Sequence, residues 1–142
     1  MDATLLGWCA GIIDGEGSVT ISRHGKKHSR YCLEITVYNT FRGALTRLKR
    51  AFGCGWLESR AQRTDGHHGN GKRIYMWRCR ERSAHSVLVR VLPHLYIKKA
   101  QARVALAFFQ ERMKDSDVVE AHVATMRVLN RRGVTPARPH AF

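Results

Sequence analysis

Two carboxylates stand where a short apolar run ends, and their setting is typical of a metal site. The run from Thr4 to Gly17 reads TLLGWCAGIIDGEG, so one residue separates Asp14 from Glu16 and glycines flank both. It predicts a helix with Thr4 as its N-cap. Carboxylates at a helix C-terminus oppose the negative end of its dipole, and no cation occurs among the next five residues. A divalent cation would remove this conflict, whereas an acidic turn facing water is the alternative.

The same helix carries glycines at a spacing that favours close contact with another helix. Gly7, Gly11 and Gly15 recur every fourth residue and share one face, with Ala10 beside them. A glycine inside a helix costs up to about 1 kcal/mol relative to alanine. Small residues at this spacing let two helix backbones approach closely. We therefore expect a second helix to lie against this face.

Length and composition indicate one folded domain. The chain has 142 residues, of which 44% are hydrophobic, enough for a real core. We expect this domain to span residues 1–131. The last segment, 132–142, contains two prolines and is predicted to be a flexible tail. The four cysteines, at positions 9, 32, 54 and 79, have no metal-binding spacing and are expected to be small buried apolar residues in a reducing compartment.

The charge distribution indicates a polyanionic partner. The net charge is +14, and residues 22–104 hold 19 lysines and arginines against four acids. DNA or RNA fits this footprint. A membrane surface does not, because the basic residues do not share a helix with an apolar face. Arginine outnumbers lysine 18 to 7, which favours bidentate contacts to phosphate or guanine. We expect a bacterial or phage-encoded cytoplasmic protein, with no membrane partner and no small-molecule substrate.

Hydrophobic periodicity predicts an α+β fold. Alternating apolar residues predict strands at about residues 18–23 and 31–38. Two further strands are predicted at about residues 56–63 and 72–80, the last one containing the apolar run from Ile74 to Trp77. Helical periodicity predicts further helices at about residues 40–52, 82–92, 97–113 and 116–130. The order is helix, strand, strand, helix, strand, strand and three helices.

Three segments carry a resemblance to a known family. Cys9 to Gly17, CAGIIDGEG, resembles the LAGLIDADG motif of homing endonucleases at seven of nine positions. Cys9 stands where the family has leucine, and Glu16 is an acid of the other length. FGCGW, from Phe52, is similar to the family's junction between a helix and the third strand, and Leu92 to Ala102 is similar to its P-x-L-x-x-K-x-x-Q-A segment. The resemblance implies an αββαββα core with a four-stranded antiparallel DNA-binding sheet, plus C-terminal helices.

The resemblance also implies an activity and an assembly. A single motif copy supplies half of a DNA-binding saddle, so the family pattern implies a homodimer on double-stranded DNA. We expect its interface at Gly7, Ala10, Gly11 and Asp14, and a near-palindromic site follows from the twofold axis. The implied reaction is a staggered double-strand break by a site-specific homing endonuclease of an intron, intein or free-standing mobile element.

The implied catalytic residues lie around the motif. Glu16 and the carbonyl of Gly15 would hold Mg²⁺, with Mn²⁺ substituting and Ca²⁺ supporting binding without cleavage. Lys98 corresponds to the family's active-site lysine and would stabilise phosphorane charge or position water; a plain phosphate contact is the alternative. The family's polar residue after the second strand falls on Val37, so Asn39, of the same strand parity, is the water-organising candidate. Asp14 would orient the helix ends.

The polar face of the sheet is expected to read base edges in the major groove. The candidates are Thr20, Ser22, His24, Lys26, Arg30, Glu34, Thr36, Arg60, Gln62, Arg73 and Tyr75. For each of them a solvated strand residue is the alternative. Lys27 and Lys72, in turns, are expected to touch phosphates, which position the protein without specifying a sequence.

Two other functions compete with the nuclease. A catalytically silent protein of the same fold would be an RNA maturase or a transcription regulator. A basic structural RNA-binding protein is the second alternative. Retention of Glu16 and Lys98 favours the nuclease over the silent protein. Tight binding of single-stranded RNA without cleavage, in the absence of divalent metal, would favour the structural protein.

Overall fold

A four-stranded antiparallel sheet carries all the helices on one face. The computed structural model describes residues 1–23, 30–61 and 72–131, and within these it contains five α-helices. The helices are α1 (Ala3–Glu16), α2 (Arg42–Phe52), α3 (Glu81–Val91), α4 (Lys99–Glu111) and α5 (Ser116–Leu129). The strands are β1 (Gly17–Arg23), β2 (Tyr31–Asn39), β3 (Trp56–Ala61) and β4 (Arg73–Arg80), in the spatial order β1-β2-β4-β3. The predicted α+β order of elements is confirmed. The proposed tail, 132–142, lies outside the described residues.

Helix α1 begins two residues earlier than its apolar run suggests. Its N-cap is Asp2 and not Thr4, because the Asp2 carboxylate accepts a hydrogen bond from the backbone N–H of Leu5 at 2.7 Å. A carboxylate at this end also interacts favourably with the positive end of the helix dipole. The helix continues through Glu16, so both acids of the motif lie within it.

The junction between α2 and β3 is built from two glycines with different roles. Gly53 ends α2 in the left-handed region, with φ 67°, and donates its N–H to the carbonyl of Lys49. A side chain on Gly55 would lie 2.4 Å from the indole nitrogen of Trp77. That close approach lets Trp77, which is fully buried, donate to the carbonyl of Cys54 at 3.1 Å.

The core fills the space between the helices and one face of the sheet. Val19, Ile35, Val37, Trp77 and Cys79 line that face and are fully buried. Strand pairing joins Val37 to Trp77 and Ile35 to Cys79, so these residues set the register of the whole sheet. All four cysteines carry free thiols; Cys9 and Cys79 are buried, and the other two are half-buried.

The opposite face of the sheet, called the outer face below, is mostly polar. Its members follow from the strand register and alternate with the core residues. They are Ser18, Thr20, Ser22, Cys32, Glu34, Thr36, Tyr38, Trp56, Glu58, Arg60, Ile74, Met76, Arg78 and Arg80.

Two residues expected on the outer face lie on the other side. Tyr75 pairs with Asn39 and Ser59 at the same parity as Trp77, and it packs against the core. Arg73 shares that parity and donates to the hydroxyl of Ser59 at 3.1 Å. The prediction was wrong for both because a one-residue offset in a strand exchanges its two faces.

Candidate active site and sheet surface

Asp14 ties the end of α1 to the segment before α4. Its carboxylate is only 8% exposed and accepts hydrogen bonds from two backbone N–H groups, Tyr96 at 2.7 Å and Lys98 at 2.9 Å. The Lys98 ammonium donates to the backbone carbonyl of Asp14. Residues 84 apart in sequence therefore meet at one point. A short 3-10 helix, Leu92–His94, and the buried side chain of Leu95 lead the chain into this contact.

Lys98 is a half-buried cation beside two acids. Burial lowers the pKa of its ammonium below the ordinary value of 10.5, while the charges of Asp14 and Glu16 act in the opposite direction. A positive charge thus stands next to the negative end of α1, which has no basic residue in its own last turn.

Glu16 presents the exposed carboxylate of the pair. It is the last residue of α1 and is solvent-accessible, as is Gly15 before it. Among the described residues no group of three or more His, Cys, Asp or Glu side chains could by itself hold a metal ion. A single carboxylate at a carbonyl-rich helix end offers hard oxygen donors, and these fit Mg²⁺ if phosphate oxygens and water complete its shell.

Asn39 lies at the same end of the sheet as the end of α1, because Gly17 pairs with Val37 two residues earlier in β2. It is half-buried and has the parity of the core residues. Its side-chain oxygen accepts a hydrogen bond from the N–H of Phe41 at 2.8 Å, just before α2 begins. The residue therefore has a structural task in the turn, and its part in water positioning stays a prediction.

An ion-paired cluster that the sequence did not single out lies on the two central strands of the outer face, at the end of β4. The Glu34 carboxylate accepts from Nε of Arg80 through one oxygen, and its other oxygen lies 3.5 Å from Nε of Arg78. The Arg80 guanidinium lies over the Trp56 ring, 5.3 Å from its centroid. Trp56 in turn donates its indole N–H to Glu58 at 2.7 Å. Trp77 and Cys79 are the signal in the sequence that could have located this cluster. If both are assigned to the core, the alternation along β4 places Arg78 and Arg80 on the outer face.

The other predicted base-reading residues vary in accessibility. Thr20 and Ser22 are half-buried on the outer face, and Arg60 is exposed there, opposite Ile74. Thr36 is only 7% exposed and its hydroxyl shares a 2.7 Å hydrogen bond with that of Ser18. Arg30 is exposed just before β2 begins. His24, Lys26 and Gln62, and the proposed phosphate contact Lys27, lie outside the described residues.

No family model and no curated protein sequence matches the chain. Several solved structures, however, have the same architecture. Homing endonuclease I-CvuI, in complex with its target in the presence of Ca, is 20% identical, with a TM-score of 0.67 over 87% of this chain and 78% of that one. The archaeal intron-encoded homing endonuclease I-Vdi141I, complexed with DNA, is 14% identical, with a TM-score of 0.70 over 90% of this chain and 85% of that one. LAGLIDADG homing endonuclease I-GzeII, in complex with its DNA target, is 16% identical, with a TM-score of 0.60 over 87% of this chain but only 43% of that one.

The chain has the LAGLIDADG homing endonuclease fold. The three segments that suggested it occupy defined places in that fold. CAGIIDGEG forms the second half of α1 and the first residue of β1, FGCGW forms the α2–β3 junction, and the P-x-L-x-x-K segment brings Lys98 to Asp14.

Helix α1 of this LAGLIDADG fold has one buried side and one open side. A methyl group added to Gly7, Gly11 or Gly15 would meet nothing within 4 Å. Ala10, by contrast, is fully buried in the chain's own core, and the Asp14 carboxylate faces residues 96–98. Ala10 was therefore wrongly assigned to the interface. Its side chain points about 100° away from the position of a side chain on Gly11, the next residue of the helix.

The described helices also bear on membrane association. Within residues 1–23, 30–61 and 72–131, no helix combines the length and the apolar character needed to cross a bilayer.

Proposed function

We propose that the chain is a site-specific DNA endonuclease that acts as a homodimer. It would make a staggered double-strand break in a long, near-palindromic duplex. The observation that carries this proposal is that an exposed carboxylate, Glu16, and a half-buried ammonium, Lys98, both lie at the C-terminal end of α1, where Lys98 donates to the carbonyl of Asp14. Several solved structures of this fold are homing endonucleases in complex with DNA, which supports a duplex as the partner.

Glu16 and the backbone carbonyl of Gly15 would hold Mg²⁺, with Mn²⁺ substituting. The bound ion would act as a Lewis acid on the scissile phosphate. Ca²⁺ would support binding without cleavage, and a similar fold has been solved with its DNA target in the presence of Ca. Because one carboxylate per subunit is a sparse donor set, we propose that the site is completed by DNA oxygens and by Glu16 of the second subunit.

The chain's own groups would order the phosphate. Asp14 holds the backbone of Tyr96 and Lys98, so the ammonium of Lys98 is presented at a set position. A cation placed where negative charge grows on a phosphorane stabilises the transition state more than the ground state. Asn39 is proposed to orient the attacking water.

The open glycine face of α1 supports the dimer. Three glycines in one helix reduce its stability unless close packing compensates, and no described residue of the chain lies within 4 Å of the positions their side chains would take. A second copy of α1 packed there would place two Glu16 carboxylates at one axis.

Exchange of Glu16 for Gln tests the nuclease. A randomised palindromic duplex library is first selected for binding in Ca²⁺, and the bound DNA is then exchanged into Mg²⁺. Glu16→Gln should keep the fold and the DNA affinity but lower cleavage by at least about a hundredfold, as expected when a charge at the reacting group is lost. Glu120→Gln, which removes an exposed carboxylate on α5, serves as the matched control and should cut normally.

The products decide between the competing functions. Cleavage of both strands with a symmetric stagger, by wild type only, supports the homodimeric nuclease. Normal cleavage by Glu16→Gln would show that another residue holds the metal. Specific binding by wild type without cleavage would instead identify a catalytically silent binder of this fold.

A further inference from the structure

We infer that Glu34 is a positioning residue that presents Arg78 and Arg80 to guanine bases. Each half of the DNA site should then contain two G·C pairs opposite the central strands β2 and β4. This inference rests on the proposed function, because it needs the outer face to enter a major groove. It names the bases that the proposed nuclease prefers and the side chains responsible.

Burial excludes direct base reading by Glu34. A glutamate can accept a hydrogen bond from cytosine, but the side chain of Glu34 is only 11% exposed and two arginines cover it. Removing either arginine would leave a largely buried carboxylate with less compensation, which is costly. The carboxylate therefore acts through the arginines that it holds.

Arg80 is held in an orientation suited to a purine edge. Its Nε donates to Glu34, and its guanidinium plane rests over Trp56, 5.3 Å from the ring centroid. Contact through Nε occupies the side edge of the guanidinium and leaves its end edge, formed by one N–H of each terminal amino group, open to another acceptor. Such a fork matches O6 and N7 of guanine, the most common specific contact in the major groove. Holding the side chain before binding reduces the entropy lost when the complex forms.

The hydrogen bonds of Arg78 within the chain are weak, so a stronger acceptor on DNA could replace them. Its Nε lies 3.5 Å from Glu34 and makes no hydrogen bond within the described part of the chain. A terminal amino group donates to the thioether sulfur of Met76 at 3.3 Å. Because a thioether is a weak acceptor, a guanine oxygen or nitrogen would be a better partner.

The position of the cluster favours bases over phosphates. Strands β2 and β4 are the two central strands, so Glu34, Arg78 and Arg80 lie away from the edge strands, and the pair Glu34–Arg80 closes the β2–β4 ladder at the end of β4. A sheet lying in the major groove turns its centre to the base edges, while its rims and turns approach the backbone. Arg78 and Arg80 are two residues apart on one strand, about 7 Å, which corresponds to about two base-pair steps.

Binding selections with conservative variants test the inference. Wild type and the variants Glu34→Gln, Arg78→Lys and Arg80→Lys are each used to select duplexes in Ca²⁺. Each lysine variant should lose at least about tenfold of guanine preference at its own position, or about 1.4 kcal/mol. Glu34→Gln should weaken the preference at both positions together. The matched controls, Arg103→Lys on α4 and Glu120→Gln on α5, should return the wild-type site.

Modified bases provide a second measurement on the wild-type protein. Replacing the two selected guanines by 7-deazaguanine removes N7 and should lower affinity at least about threefold at each position. In Arg80→Lys, the modification at the Arg80 position should have no further effect, as expected when two changes remove one interaction. Circular dichroism and thermal unfolding of each variant report whether it is folded.

The outcomes separate this inference from the proposed function. If wild type selects a site but the folded Glu34, Arg78 and Arg80 variants select the same site, the inference is wrong and the nuclease proposal stands. If wild type selects no duplex at all, the proposed function fails and the inference fails with it. A loss of affinity for all sequences in the folded lysine variants, with an unchanged base preference in the remaining complex, would assign the arginines to phosphates and overturn the inference.

Discussion

The two acids of the motif, separated by Gly15, have opposite environments. Each residue of a helix adds a rotation of about 100°, so the two side chains point about 200° apart. Asp14 therefore faces residues 96–98 while Glu16 faces solvent. The Asp14 carboxylate accepts two backbone hydrogen bonds, whereas the Glu16 carboxylate is exposed and available to a ligand. The same chemical group therefore has a structural role at one position and a proposed metal-binding role at the other.

The titration of Lys98 checks this arrangement. Because burial lowers its pKa and Asp14 raises it, we expect Lys98 to titrate below the exposed lysines, and Asp14→Asn to lower its pKa further. In the folded state this ammonium binds its proton less tightly than in the unfolded chain. Its contribution to stability should therefore increase as pH rises through the window between the lowered pKa and 10.5. NMR of isotope-labelled lysine side chains measures both values.

Two results would contradict this account of the residue. One is a Lys98 pKa at the ordinary value of 10.5, and the other is an unchanged Lys98 pKa in a folded Asp14→Asn variant. Either would mean that the ammonium does not lie in the half-buried position beside α1.

At the scale of elements, α1 combines a core helix with an open glycine face. Cys9, Ala10 and Ile13 are fully buried against the rest of the chain, while Gly7 and Gly11 are exposed. In an isolated chain those glycines only reduce helix stability. The loss of helix stability is compensated only if another backbone packs closely against this face, which the absence of side chains permits.

Substitution of Gly11 distinguishes a free face from an interface. Gly11→Ala should raise the stability of the isolated monomer by up to about 1 kcal/mol, because alanine has the higher helix propensity. If two α1 helices pack here, the same change should weaken the dimer, and Gly11→Val should yield monomer or aggregate. Light scattering and thermal unfolding at several protein concentrations measure both effects. A more stable protein with unchanged mass and cleavage would contradict the proposed interface.

Gly53→Ala provides a control for substitution of glycine as such. Gly53 has φ 67° and no neighbour in the way of a side chain, so only backbone strain opposes alanine there. It should destabilise the fold by about 1 kcal/mol without changing the mass of the particle.

At the scale of the molecule, the positive charge is not concentrated on the outer face. In the described strands that face holds three arginines, at positions 60, 78 and 80, against Glu34 and Glu58. Exposed cations such as Arg30 and Lys72 instead flank the strands. This distribution separates an almost neutral centre, suited to base reading, from a basic rim suited to phosphates.

Salt dependence should reveal that division. Duplex affinity is expected to fall steeply with salt, with a slope of about −0.9 for each phosphate contact on B-DNA. Lys72→Ala should lower affinity for all sequences and reduce the magnitude of the slope by about one contact, leaving the selected site unchanged. Fluorescence anisotropy across a salt series measures it. A change in base preference, with an unchanged slope, would place Lys72 among the base-reading residues.

Local rules were enough to predict the order of elements and the ends of several of them. All four strands were predicted near their observed positions, β1 and β2 from the alternation of apolar residues, and Gly53 ended α2 as expected. The motif at the end of α1 and Lys98 could be assigned through the family resemblance. These features depend on residues a few positions apart, whose effects on the backbone do not require the rest of the fold.

Short-range patterns in the chain therefore predict the elements, the acidic helix end and the basic character of the protein. Which face of β4 is the outer one depends on the tertiary structure. Burial of Trp77 and Cys79 places Arg78 and Arg80 on the outer face, where Arg73 and Tyr75 had been expected. The tertiary structure also decided that Ala10 is internal, that Asp14 meets Lys98, and that Glu34 joins two arginines. The physical reason is that burial and pairing between distant segments depend on side-chain packing across the whole core, which short-range patterns do not encode.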